Sequence, residues 1–413
     1  VDEPSSPVDP PDPDDATEFV VRLGAALIAA SAPVTVVHDR LGRLAAAYGL
    51  RLDTYVVPTG VWAVGWDERA IVSLSSAAPG TYRFDQTTAL FDLVDRATAG
   101  AVPPDEGLAH LRSIEQARPR FGPWWSIPGV ALVAAGIALV LGAGAGDLGV
   151  ATALGALTGA LRIVAVGRPS VETVLPALAA FVVGTIVLGL VELDLVEEPL
   201  RVLTPALVIL LPGAMLTIGA IELAGGSLAS GSGRIVAGFF TLLLLTFGLV
   251  VAGSVVGLST ADEVADPAAP LVGAWAPWLG VGIYVVGVGL TFSVPSGSWR
   301  LLFLVCFVAW SVQVLSYPLV GPYVSALVGA ACGVLVACIA DRHLAGPPPL
   351  VSFAPAFWLM VPGGVSLVGV TRATAGSGGG AQLSAALFTI TAIALGVVIG
   401  IGADRSLRDR FGW

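Results

Sequence analysis

Lysine is absent from this sequence: all 20 cationic residues are arginine. That excludes a P-loop, whose lysine holds nucleotide phosphates, and Schiff-base chemistry, which needs a lysine amine. Charge of either sign is scarce, at 12% of residues, where soluble domains carry about 25%. Water is therefore not the main solvent of this chain. Cysteine and histidine are equally rare, three of each. Cys306, Cys332 and Cys338 stand in apolar runs, where cysteine behaves as a small hydrophobe. No CxxC or Cys/His spacing joins them, so neither a zinc site nor a disulfide is expected. His38, His110 and His343 are scattered and read as exposed or locally paired side chains. No cofactor is expected. The basic, aromatic-interleaved patches that hold nucleic acid are missing as well, and much of the net charge of −10 sits in an acidic N-terminal tail and a few loops. No charged, apolar and cleavage segments follow one another before residue 120, so no signal peptide is expected.

What is present is apolar sequence. Hydrophobic residues make up 55% of the 413, and 51 are glycine, a composition that lets helix backbones approach closely in lipid. Residues 1–15 (VDEPSSPVDPPDPDD) are acidic and Pro-rich and are expected to be disordered. Residues 16–120 read as a small α+β domain. Thr17 is a candidate N-cap, Pro33 opens a second helix, and Gly49 follows its end. The runs LDTYVV, VWAVGW and AIVSLS predict a meander of three short strands. Helices over about 86–99 and 104–117 show apolar spacing of three and four (Leu90, Leu93, Val94; Leu108, Leu111, Ile114) and pack on the sheet.

From Trp124 onward the chain predicts an all-α polytopic membrane domain. A span needs about 20 apolar residues, which places ten spans at about 125–142, 148–167, 171–191, 203–221, 234–257, 272–292, 299–316, 320–340, 351–370 and 382–403. With the N-terminal domain in the cytoplasm, the inner loops and ends hold ten arginines, among them Arg112, Arg168, Arg300 and Arg405. The outer loops hold Arg201 and Arg372 only. This bias is the positive-inside pattern, and it places both termini in the cytoplasm.

The membrane part repeats itself. TPALVILLPGAMLTIGA (204–220) matches APAFWLMVPGGVSLVGV (354–370), with Pro205 opposite Pro355, Pro212 opposite Pro362 and Gly213 opposite Gly363, each pair 150 residues apart. The halves, 121–260 and 261–413, are then five spans each. An odd number carries the second copy into the membrane upside down, giving the 5+5 inverted repeat that many secondary transporters use.

Pro212-Gly213 and Pro362-Gly363 fall near the middle of spans 4 and 9. Proline removes a helix hydrogen bond and glycine adds freedom, so both helices are expected to break there and to expose backbone groups to a substrate. The other reading is an ordinary packing kink. Thr204, Thr217 and Ser366 lie on the same helices as candidate hydroxyl ligands, although such residues often bond their own backbone. Glu222, with Arg234 nearby, is a candidate for binding a substrate ammonium or carrying a proton. The alternative is a solvated end-of-helix carboxylate paired with Arg234. Arg162, inside span 2, is expected to snorkel to the interface, with charge coupling as its functional alternative. Gly155/Gly159, Gly329/Gly333 and Gly396/Gly400 read as helix packing.

The order of these features resembles the threonine/serine exporter family. The likeness rests on FVVRLGAALIAASAPVTVVHDRLGRLAAAYGL, YVVPTGVWAVGW, LAHLRSIEQARPRFGP, LPGAMLTIGAIELAGGSLASGSGR and the later VPGG. Its most specific piece is Pro212-Gly213, Glu222-Leu223, Gly231 and Arg234. The resemblance implies a cytoplasmic N-terminal domain on ten spans in a bacterial inner (plasma) membrane. It implies proton-coupled antiport that exports threonine and serine, with an amino acid, protons and the lipid bilayer as partners and no enzymatic activity. Assembly into a homo-oligomer stays open. Related two-subunit proteins are associated with dicarboxylate export, so a cargo such as succinate is the alternative. A remote alternative is a membrane-anchored hydrolase in the N-terminal domain. That domain has adjacent His38 and Asp39 but no G-x-S-x-G elbow, and neighbours on a helix point different ways.

Overall fold

The computed structural model describes residues 13–65, 72–76, 82–196, 198–257, 273–343, 349–360 and 380–411. The chain divides into two compact units, Val1–Arg118 with Gly225–Ser230, and Pro119–Ala224 with Gly231–Trp413.

In the first unit, α1 (Pro13–Ala29) and α2 (Val34–Ala47) precede the antiparallel meander β1 (Leu52–Val57), β2 (Gly60–Gly65) and β3 (Val72–Ser76), followed by α3 (Phe84–Thr98) and α4 (Pro104–Glu115). The helix starts follow local chemistry. Pro33 precedes α2, Pro103 and Pro104 open α4, and Gly49 takes φ +70° just past α2, where a side chain would be strained. Thr17 is not an N-cap. The helix begins four residues earlier, and the Thr17 hydroxyl donates to the Pro13 carbonyl at 2.7 Å, the back-bond of a threonine inside a helix. Residues 13–15 are accordingly the first turn of α1 and not tail. The rest of the expected tail lies outside the described residues.

The inner face of the sheet (Val56, Val61, Ala63) is buried, as are Phe19, Leu23 and Leu27 of α1, Leu90, Leu93 and Val94 of α3, and Leu108 and Leu111 of α4. Gly24 brings α1 against Leu41 and Val61. His38 is exposed, and its Nδ1 lies 3.2 Å from the Thr54 hydroxyl.

The second unit is helical throughout its described residues: α5 (Ser126–Val140), α6 (Ala145–Ala165), α7 (Pro169–Glu192), α8 (Pro199–Leu207), α9 (Gly213–Ala224), α10 (Leu228–Val256), α11 (Ala276–Thr291), α12 (Trp299–His343), α13 (Pro349–Met360) and α14 (Gly380–Phe411). Among the described residues, six helical stretches are long and apolar enough to cross a membrane. The bent pair α8–α9 makes a seventh, and α11 is a shorter apolar helix. The count differs from ten partly because α12 runs for 45 residues, about 67 Å at 1.5 Å per residue and over twice a bilayer core. Gly321 interrupts it at φ 76°, ψ −178°, a conformation open almost only to glycine. Gly329 then lies against Ala309 and Gln313, and Gly333 against Ala309. The two arms of α12 therefore pack antiparallel about Gly321, as a helical hairpin. The ninth expected span extends past α13 into residues outside the described set.

Glycines mark where helices touch. A Cβ at Gly136 would meet Gly280 O and Tyr284 N at 2.6 Å, and one at Gly287 would meet Val133 N at 2.5 Å and Gly129 O at 2.7 Å. As α5 ascends in number, α11 descends, so the two are antiparallel. A different pair is parallel and occurs twice. Gly248 of α10 lies on Ala177 O and the Cβ of Ala180 in α7, and Gly396 of α14 lies on Leu327 O and the Cβ of Ala330 in α12. Ala177 and Leu327, and Ala180 and Ala330, are each 150 residues apart. Helix starts at 126 and 276, and at 199 and 349, keep the same offset. Trp124, Trp125 and Trp275, at helix starts, are exposed.

Candidate functional site

The chain breaks where Pro212-Gly213 predicts. After α8 a single 3-10 turn runs over Val208–Leu210, Leu211 is extended at φ −70°, ψ 131°, and α9 starts at Gly213. The two helices meet at a 62° bend. The cause is local: the proline ring disfavours helical ψ in the residue before it and has no N–H to continue the ladder. Pro212 instead starts the next helix, its carbonyl accepting the Leu216 N–H at 2.9 Å. The first N–H groups of α9 have no carbonyl one turn back, so this end of the helix carries partial positive charge.

Thr204 and Thr217 are both buried on this interrupted span. The Thr217 hydroxyl donates to Gly213 O at 2.9 Å, so it is occupied by its own helix.

Beyond the break, α9 and α10 form a close antiparallel pair. A Cβ at Gly231 would meet Gly219 O at 2.6 Å and Leu223 N at 2.8 Å, and one at Gly219 would meet the Arg234 Cβ at 3.2 Å. This approach sets Arg234 against Glu222, with Nε 3.1 Å from each carboxylate oxygen. Glu222 is 0% exposed and Arg234 5%. The carboxylate is thus paired with Arg234, as one sequence reading has it, but it is not solvated. The spacing Glu222, Gly231, Arg234 has a physical meaning: the glycine admits the backbone contact that lets the two charges meet out of water. α9 also touches α13 and α14.

The second break is not so placed. Pro362, Gly363, Ser366 and Arg372 lie outside the described residues. Before them α13 ends at Met360, and the Pro355 carbonyl in it accepts the buried Tyr284 hydroxyl at 2.7 Å.

Arg162 lies in the last turn of α6 and is half-buried. Its guanidinium carbon stands 5.8 Å from the centroid of the Phe292 ring, and Phe292 stacks on Trp358, with centroids 5.2 Å apart and planes at 16°. Sequence reasoning missed Arg201, taking it for an outer-loop residue. It lies in the first turn of α8, is 1% exposed, and donates from Nη1 to Gly142 O at 3.0 Å, where α5 has run out of helical partners. The available signal was Pro199, since a proline at the first helical position starts the helix before Arg201. Asp147, in the first turn of α6, is also buried.

A family model described as "Putative threonine/serine exporter" (ThrE) matches residues 18–256. The match ends where α10 ends and so takes in most of the first unit and the second unit as far as Val256, including Pro212, Glu222, Gly231 and Arg234. No curated protein and no solved structure matches the chain.

Proposed function

Because the chain belongs to the threonine/serine exporter family, we propose that it moves threonine and serine out of the cytoplasm by alternating access at two interrupted helices, driven by the proton motive force. The observation that carries this reading is the 62° break at Leu211-Pro212 joined, through α9, to the buried Glu222–Arg234 pair. The break offers backbone N–H groups to a carboxylate and unwound carbonyls to an ammonium, the two charged ends of an amino acid. The ion pair is the proton-sensitive element: protonating Glu222 releases Arg234, and re-forming the pair expels the proton.

The membrane unit has ten spans in this reading: α5, α6, α7, α8–α9, α10, α11, the two arms of α12, a ninth beginning with α13, and α14. The duplicated Gly248 and Gly396 contacts support two related halves. The antiparallel α5–α11 pair supports their opposite direction, because these helices occupy equivalent places in the two copies. Arginine bias puts the first unit and both termini in the cytoplasm, which sets Glu222 and Arg234 towards the side from which an exporter takes its cargo. Pro362-Gly363 supplies the second break and Ser366 a hydroxyl near it.

The test is uptake of labelled threonine and serine into inverted membrane vesicles. It is expected to rise when an inward-acid gradient is imposed, and to fall severalfold in Pro212→Ala. Absence of threonine and serine uptake in vesicles that accumulate another solute overturns the assignment. One observation favours a second cargo, a dicarboxylate such as succinate: Arg162 and Arg201 both lie within helices of the membrane unit, so cationic charge is not confined to its loops. Competition by succinate, with none by threonine, selects that reading.

A further inference from the structure

Arg162 holds an unusual position for a charged group. It sits in the last turn of α6, its Nη1 is buried, and that nitrogen has no hydrogen-bond partner among the described residues. Guanidinium stays charged at any physiological pH, and a buried charge is normally paired. The Phe292 face satisfies part of the cation by a ring contact, but a ring accepts no in-plane N–H bond. Two more polar atoms are left over close by in the chain. Thr158, one turn earlier on α6, is 0% exposed with an unpartnered hydroxyl, and Thr291, next to Phe292, has a buried hydroxyl without a partner. Gly129 of α5 lies directly on the Thr291 hydroxyl. Four helices therefore meet at this place, α5 with Gly129, α6 with Arg162, α11 with Thr291 and its cap Phe292, and α13 with Trp358 stacked on Phe292. Trp358 stands four residues before Pro362, so one wall belongs to α13.

We propose that Arg162 is the carboxylate-binding residue of the transport site, its guanidinium fork held flat by the Phe292–Trp358 stack so that its free edge takes a planar carboxylate from the cargo. A carboxylate matches this fork with two parallel charge-assisted bonds, and a point cation such as lysine does not reproduce them. The Thr158 and Thr291 hydroxyls supply the neutral polar lining. Glu222 and Arg234 are engaged with each other, whereas Arg162 Nη1 has donor capacity to spare. With the first unit in the cytoplasm, the C-terminal ends of α6 and α11 and the start of α13 face the cytoplasmic side, where cargo enters. The inference rests on the exporter reading for the identity of the cargo but not for the chemistry of its binding group.

The experiment measures ligand binding to the purified full-length protein in nanodiscs, by calorimetry and by the shift in melting temperature. The probes are threonine, threonine amide and succinate. Wild type is expected to bind a carboxylate probe and not the amide. Arg162→Lys is expected to bind it about tenfold weaker, and Arg162→Met about a hundredfold weaker, the range of a lost charge-assisted pair. The ligand-free Arg162→Met protein is expected to melt no lower than wild type, because it loses a buried charge that lacks a partner. A merely structural arginine would give the reverse, a lower melting temperature with binding unchanged. Carboxylate binding retained at wild-type strength in Arg162→Met overturns the proposal, and so does a wild type that binds neither threonine nor succinate. Should Arg162→Met fail to fold, the Arg162→Lys affinity decides alone. Threonine transport with normal Arg162→Lys binding sinks the clamp and spares the exporter assignment. Succinate binding lost in the variants, without threonine transport, spares the clamp and sinks the threonine assignment.

Discussion

Arg234 holds Glu222 through one nitrogen shared between both carboxylate oxygens, 3.1 Å each way, and solvent reaches essentially neither residue. Removing one partner of such a pair leaves a buried charge without its counter-ion, at a cost of about 3–5 kcal/mol. Glu222→Ala is therefore expected to lose stability on that scale. The double substitution Glu222→Met with Arg234→Met is expected to recover most of it, since an apolar pair of similar volume is often no less stable. Thermal unfolding of the three variants in one detergent checks this. A double variant no more stable than Glu222→Ala would show that the pair is not the main interaction of either residue.

Gly248 and Gly396 meet the same kinds of atom, a carbonyl and an alanine Cβ. Gly248→Val and Gly396→Val are then expected to destabilise alike, each by about 1–3 kcal/mol as overpacking does. Gly233 and Gly402, with nothing within 4 Å of a Cβ, are expected to tolerate alanine with little change. The comparison reads directly from melting temperatures.

Trp125 and Trp275 precede α5 and α11, the antiparallel pair, and both are exposed. In a background without the native cysteines, Trp125→Cys and Trp275→Cys are expected to react with an impermeant maleimide from opposite sides of the membrane. Intact cells label the second, and inverted vesicles the first. Labelling of both from one side would contradict opposed halves.

The tyrosines of the first unit set its behaviour in alkali. Burial pushes the Tyr48 hydroxyl up to about 12, and it donates to Val102 O at 2.7 Å. Tyr82 is raised still further, by burial first and then by the charge and hydrogen bond of Glu115. In both cases the folded state holds the proton more tightly than the unfolded one. Their stabilisation is complete below the ordinary tyrosine value near 10 and is lost as pH rises through the folded values. Between about pH 10 and 12 the melting temperature of wild type is expected to fall more steeply than that of Tyr82→Phe, which has no proton to lose. Equal slopes would refute the coupling.

The apolar helices, the break at Pro212 and the three-stranded meander were legible in the chain because each is encoded locally. Hydropathy over a span, the missing N–H of one proline and alternation along one strand need no partner. Thr17 shows the limit even there: its neighbours allow a cap, but three preceding residues, Pro13 to Asp15, extend the helix and turn its hydroxyl to the backbone. What the chain did not disclose is which faces of uniformly apolar helices touch, since helices apolar all round carry no stripe that marks a partner. The burial of Arg201 against Gly142, the burial of the Glu222–Arg234 pair, and the Arg162–Phe292–Trp358 stack join residues 12 to nearly 200 positions apart. A charge in an apolar sequence announces that it needs a partner or a wet path. Only the packed tertiary structure decides which, because burial and pairing depend on helices distant in the chain.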